Sequence, residues 1–331
     1  MRSLLQIEQI AVEYATEGGP LRALDGASLT IAAGETVGIV GESGSGKSTL
    51  ALTIGRILPA YARRVAGDIL FDDQSVFAHS DSEMRSFRRD ELGFIFQNPV
   101  SALDPTMRVK YQLAHILDVK NSDPAIMTHL DRVGLKDVER VANRFPHELS
   151  GGMAQRVVIA LAIARGPRLL IADEPTSSLD STIRDQILEL LFALPEQTGA
   201  TLLLFTHDLR SVAKYCDRVA VMYGGDVIEN GMADKIFSRP VHPYTDALLK
   251  AAPGAEEIGG KIEAIPGRPP ILRERSERCP FAPRCHWVVD VCRNQRPEAQ
   301  IVDSRLVSCH RAEETAHLVS AQQIMGANNA S

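Results

Sequence analysis

Gly41-Glu42-Ser43-Gly44-Ser45-Gly46-Lys47-Ser48 follows a buried-type β-branched run, Thr36–Val40, and precedes Ser48–Leu58, which has helical spacing. Strand, glycine-rich loop and helix in that order make a phosphate site, because the glycines let successive N–H groups and the helix N-terminus face an anion. Lys47 reaches the β- and γ-phosphates and the Ser48 hydroxyl ligates Mg²⁺. The bland alternative is a glycine-rich turn followed by a chance lysine, and the flanking strand and helix weigh against it. A second apolar run, Leu169–Ala172, ends in Asp173 and Glu174. Asp173 can organise Mg²⁺, and Glu174 can orient and deprotonate an attacking water. Adjacent acids at a strand end often mean only a solvated loop; the apolar run before them and Pro175 after them favour the catalytic reading.

Leu149-Ser150-Gly151-Gly152-Met153-Ala154-Gln155-Arg156 resembles the signature of the ABC ATPases. Ser150 suits the N-cap of a helix continuing through Val157–Ala164, which would offer free N–H groups and a positive helix end to an anion. Other elements of that family stand in its order: Gln97 in Phe96-Gln97-Asn98-Pro99, Ser178-Leu179-Asp180, and His207 in Thr206-His207-Asp208. The resemblance implies that Gln97 senses Mg²⁺ and the lytic water and links to a membrane partner, that Asp180 lies at a dimer seam, and that His207 contacts the γ-phosphate. Gln97, Glu174 and His207 are then the catalytic set. Gly41, Ser43, Gly44, Ser45, Gly46, Lys47, Ser48 and Thr49 surround the ATP phosphates, and Ser48, Gln97 and Asp173 hold Mg²⁺. Tyr14, by position, resembles the aromatic that stacks on adenine, its alternative being an aromatic packed on a strand edge. Ser150, Gly151 and Gly152 of one subunit would cover the nucleotide held by the phosphate loop of another, so the chain is expected to work as a dimer.

Within that family the chain is most similar to the ATPase subunits of oligopeptide, dipeptide and nickel importers. The resemblance rests on Gln97-Asn98-Pro99 to Leu103-Asp104-Pro105, His242-Pro243-Tyr244, Ile265-Pro266-Gly267-Arg268-Pro269-Pro270 and Cys279-Pro280-Phe281-Ala282-Pro283-Arg284-Cys285. It implies two transmembrane permease subunits, an extracytoplasmic solute-binding protein acting indirectly, and a second ATPase subunit. Met153, where the other subunit type carries glutamine, favours a heterodimer. Resemblance to some members implies a four-iron, four-sulfur cluster on Cys279, Cys285, Cys292 and Cys309. Zinc or plain structural thiols remain the alternatives, although the spacing does not follow paired C-x₂-C ligands. Ala154, where the family generally has a basic residue, and a short stretch at Gln112–Thr128 depart from the pattern. The competing function is a soluble ABC ATPase working on nucleic acid or in iron–sulfur assembly.

These residues need a scaffold, and 331 residues supply an α/β core with material to spare. An apolar share of 44% and a charged share of 24% are ordinary for a globular chain. The net charge of -6 lends no support to nucleic acid as a partner. The longest apolar run, Val157–Ala164, is too short to span a bilayer, and Glu8 interrupts the apolar start. The chain is therefore expected to stay in the cytosol, and the importer resemblance implies a peripheral place on the cytoplasmic face of the inner membrane. Leu4–Tyr14 and Ala27–Ile31 read as strands around a turn at Thr16–Pro20, Thr201–Phe205 as a strand, and Thr182–Leu194 as a helix. The expected fold is a phosphate-loop α/β core with an antiparallel β subdomain, a helical subdomain and a small irregular C-terminal extension. Its bounds are 1–98 and 166–240 for the core, 99–165 for the helical part carrying the signature, and 241–331 for the extension with the four cysteines. Prolines and glycines from Pro253 to Pro270 suggest a linker, and the tail beyond Arg311 is poorly specified.

Overall fold

The computed structural model describes residues 2–252 and 263–315. The expectations placed on Pro253–Gly260 and on most of the tail beyond Arg311 lie outside the described residues. The chain forms two compact units, one built from Met1–Arg2, Ala32–Thr36 and Ala78–Phe205, the other from Ser3–Ile31, Val37–Phe77 and Thr206–Ser331.

The first unit carries three parallel strands, β6 (Leu92–Ile95), β7 (Leu169–Asp173) and β8 (Thr201–Thr206), in the register Leu92↔Leu169 and Leu169↔Thr201. Every residue of β7 and β8 is buried, as expected of parallel strands covered on both faces. Six helices accompany them: α2 (Asp81–Asp90), α3 (Val109–Leu117), α4 (Pro124–Arg132), α5 (Val138–Ala142), α6 (Gly151–Ile163) and α7 (Ser181–Thr198). Local signals start several of them. Ser80 and Glu83 form a capping box on α2, Asp123 caps α4 with Pro124 at its first position, and Ser150 and Asp180 cap α6 and α7. The helix expected at Thr182–Leu194 runs on through Pro195 to Thr198, and Gly199, at φ 73°, ends it. Between Pro99 and Arg165 the secondary structure is helical, with no strand.

In the second unit, β1 (Ser3–Thr16), β2 (Gly19–Ala32), β4 (Ala62–Phe71) and β5 (Gln74–Ser75) form a sheet in the order β2-β1-β4-β5. The opening strands are longer than expected because only Glu17 and Gly18 separate them. The unit's other strands are β3 (Thr36–Val40), β9 (Arg218–Tyr223), β10 (Asp226–Met232), β11 (Gln300–Val302) and β12 (Arg305–Val307). β3 runs parallel to β9, and the pairs β9–β10, β10–β12 and β12–β11 are antiparallel. The unit's helices are α1 (Lys47–Ile54), α8 (Leu209–Tyr215), α9 (Ala233–Ser238), α10 (Pro243–Ala251) and α11 (Asp290–Asn294). α1 stops short of Leu58 because Gly55 caps it and Arg56 turns at φ 49°.

The C-terminal part is less irregular than its composition suggests, since the β11–β12 hairpin continues a sheet from β10. A buried polar group anchors it. The Glu229 carboxylate, fully enclosed, accepts from the Val241 and His242 amides at 3.0 and 2.9 Å and faces Arg305 at 3.5 Å. Enclosed carboxylates persist only where such donors replace water. Val241, Val307 and Ala312 form a small buried apolar cluster.

Candidate functional site

In the second unit the loop between β3 and α1 curls as its sequence requires. Gly46 sits at φ 105°, and a Cβ there would lie 2.7 Å from the Ala23 carbonyl oxygen, so no other residue fits without moving backbone. Ser45 donates its amide to the Glu42 carbonyl at 3.2 Å and accepts from the Gly225 amide at 3.1 Å, which ties the loop to the β9–β10 turn. The Lys47 ammonium donates to the Gly41 and Glu42 carbonyls at 2.7 and 3.1 Å. It is thereby held across the loop mouth, where an arriving anion would take over donors now spent on carbonyls. Ser48 and Thr49 open α1, Ser48 being exposed.

Tyr14 is half-buried on β1, its hydroxyl within 3.2 Å of the Thr49 hydroxyl. It lines an open recess of about 470 Å³ together with Tyr61, whose ring is 62% exposed and 5.8 Å from that of Tyr14. Sequence reasoning missed Tyr61; an exposed aromatic on a turn carries no periodic signal. His207, also in this unit, is exposed just beyond the end of β8.

The first unit holds the remaining residues predicted for the nucleotide site. Asp173 is buried at the end of β7. Glu174, which follows it, adopts φ 47°, a left-handed conformation that side-chain-bearing residues rarely take and that costs on the order of 1–3 kcal/mol. Its amide donates to the Phe205 carbonyl at 2.8 Å, and its own carbonyl accepts from the Ser177 hydroxyl at 3.1 Å. Gln97 is exposed beyond β6. The starts of α6 and α7 pack against each other: a Cβ on Gly152 would come within 2.7 Å of Ile183 Cγ2, and one on Gly151 within 3.4 Å of Leu179. Ser150 accepts from the Met153 amide at 3.3 Å, and Asp180 from the Ile183 amide at 3.0 Å. The signature segment thus packs on residues that flank Asp180.

The structure also brings together residues whose role the sequence left blank. The Tyr244 hydroxyl accepts the Glu42 amide at 2.9 Å, and Arg284 donates to both Glu42 carboxylate oxygens at 2.6 and 3.0 Å. Tyr223, Tyr244 and Phe281 pack their rings with centroids 4.5 to 5.4 Å apart behind this contact. Nothing local signals such contacts, because the partners are some two hundred residues apart in sequence.

All four C-terminal cysteines carry free thiols. Burial pushes Cys285 up to about 11 and Cys309 up to about 12, and raises Cys279 as well. Cys309 also senses Cys279, Cys285 and Cys292 electrostatically, so the four gather in one neighbourhood. Among the described residues, no group of three or more His, Cys, Asp or Glu side chains is arranged to hold a metal ion. No helix among them is long and apolar enough to cross a membrane.

Comparison with known proteins bears on both regions. A family model described as ABC transporter matches residues 24–177, and one described as oligopeptide/dipeptide transporter, C-terminal region, matches 228–292. The chain is 39% identical to the oligopeptide transport ATP-binding protein OppD of Salmonella typhimurium over 94% of each chain. It is 43% identical to the protein of that name from Bacillus subtilis, over 89% of this chain and 84% of the other. A dimeric ATP-binding cassette, solved in a post-hydrolysis state with ADP and phosphate, superposes with a TM-score of 0.61 at 30% identity, covering 69% of this chain and 98% of that one.

Proposed function

We infer, because the chain belongs to the ABC transporter ATP-binding family, that it binds and hydrolyses ATP to power an importer of peptides or related small solutes. The observation that carries this reading is the joint presence of the cassette and the oligopeptide/dipeptide C-terminal region in one chain. A soluble ATPase of nucleic-acid or iron–sulfur assembly work is not favoured, since neither use calls for that region.

In this reading the loop amides and Lys47 hold the phosphates, and Tyr14, with Tyr61 beside it, receives the adenine ring in their recess. Glu174 takes a proton from the attacking water while Gln97 and His207 place it against the γ-phosphate. Ser48, Gln97 and Asp173 offer oxygen donors of the kind a hard cation takes. Mg²⁺, when bound, screens charge on the phosphates. Ser150, Gly151 and Gly152 at the start of α6 present helix-terminal N–H groups to a nucleotide on a second cassette, with Asp180 beside them at the seam. The second cassette is a different ATPase subunit, a choice supported by Met153. Two permease subunits, supplied by an extracytoplasmic solute-binding protein, hold the assembly at the cytoplasmic face of the membrane.

The four cysteines would hold an iron–sulfur cluster, which would supply a cross-link between their segments. Four free thiols from separate segments, collected and partly or wholly buried, suit that group. Bound there, the cluster would cross-link the turn at Cys279–Cys285 to Cys292 and Cys309.

The test is anaerobic purification of the chain co-expressed with its genomic neighbours, with iron analysis, visible absorption and identification of what co-purifies. Iron together with two membrane subunits and a second ATPase is expected. A solitary, metal-free ATPase would overturn the importer and cluster readings.

A further inference from the structure

Glu42, inside the phosphate loop, has each of its polar groups held. Its carbonyl accepts from Ser45 and Lys47, its amide is spent on the Tyr244 hydroxyl, and its carboxylate is gripped at both oxygens by Arg284. Arg284 is itself fixed. It is 7% exposed, donates to the Pro266 carbonyl at 2.7 Å, and reaches the Tyr223 hydroxyl at 3.3 Å. Its guanidinium lies 5.8 Å from the centre of the Tyr223 ring. Glu42 is a carboxylate in a loop whose ligand is polyanionic, and like charges at close range repel, most strongly where water is scarce. A bidentate guanidinium removes that repulsion and fixes the loop at once.

We propose that Arg284 and Tyr244 are positioning residues of the nucleotide site: the C-terminal region neutralises Glu42 and holds the phosphate loop in its anion-binding form. Neither residue touches the reacting atoms; both act through Glu42. The inference rests on the ATP-binding reading and adds to it that the region beyond residue 240 sets nucleotide affinity.

The experiment is ATP titration calorimetry on the full chain carrying Arg284→Ala, Glu42→Gln, or both, with steady-state turnover measured in parallel. Arg284→Ala leaves the Glu42 charge bare, so its ATP Kd should rise about tenfold or more, the range of a charged hydrogen bond, while kcat at saturation changes less than about twofold. Adding Glu42→Gln should bring the Kd back to within about threefold of wild type. A purely structural arginine predicts no such rescue. Arg284→Lys keeps the charge but not the fork, and should raise the Kd by a smaller factor; it replaces Arg284→Ala if thermal melting shows that variant unfolded. An unchanged Kd in Arg284→Ala, or in Arg284→Lys where that stands in, overturns the proposal, as does failure of Glu42→Gln to rescue. Failure of the wild-type chain to bind ATP would instead remove the ATP-binding reading itself.

Discussion

Arg284 grips both carboxylate oxygens of Glu42, at 2.6 and 3.0 Å, although 242 positions separate them along the chain. The contact joins a turn flanked by two cysteines to the glycine-rich loop that precedes α1. Cysteine chemistry and nucleotide affinity are therefore expected to move together.

If the proposed iron–sulfur cluster is held there, Cys279→Ser or Cys285→Ser should lose its visible absorption and loosen the turn that carries Arg284. The ATP KM should rise several-fold, in the same direction as for Arg284→Ala. Loss of iron with an unaltered KM would separate the two sites.

The contact between Gly152 and Ile183 predicts a paired effect. Gly152→Ala places a methyl 2.7 Å from Ile183 Cγ2, and overpacking of this kind costs about 1–3 kcal/mol. Thermal melting should fall by several degrees and recover in Gly152→Ala/Ile183→Ala. A double variant no more stable than Gly152→Ala would show that the two helix starts are not in contact.

Asp226 offers a pH test. Burial pushes its carboxyl up to about 6, against the pull of Arg296 at 2.7 Å. The folded value lies above the unfolded value of roughly 3.9. Folding thus favours the protonated acid, and its contribution is complete below about pH 4 and lost as pH rises through 6. Between pH 4 and 7 the wild type should lose about 2–3 kcal/mol relative to Asp226→Asn in denaturant unfolding. Parallel stability curves for the two proteins would contradict this assignment.

Much of the fold was legible because it is written locally. Largely apolar runs mark β3, β7 and β8, and Ser150 announces the helix it caps. The phosphate loop was legible because glycine at Gly46 is demanded by backbone conformation. What stayed hidden depends on distant partners. The β11–β12 hairpin is only three residues per strand and gains its place by pairing with β10. Arg284 and Tyr244 stood out in the sequence as family marks, but nothing near them indicates that their partner is Glu42. The left-handed turn at Glu174 was also invisible, since a glutamate there has no local preference for it and long-range contacts must hold it.

The role proposed for Glu174, the base in ATP hydrolysis, is checked by ATP turnover of Glu174→Gln beside ATP binding by the same protein. Turnover should fall at least ~100-fold, as loss of a general base requires, with ATP bound as tightly as in wild type. Near-normal turnover in that variant would contradict the assignment of Glu174 and the mechanism built on it.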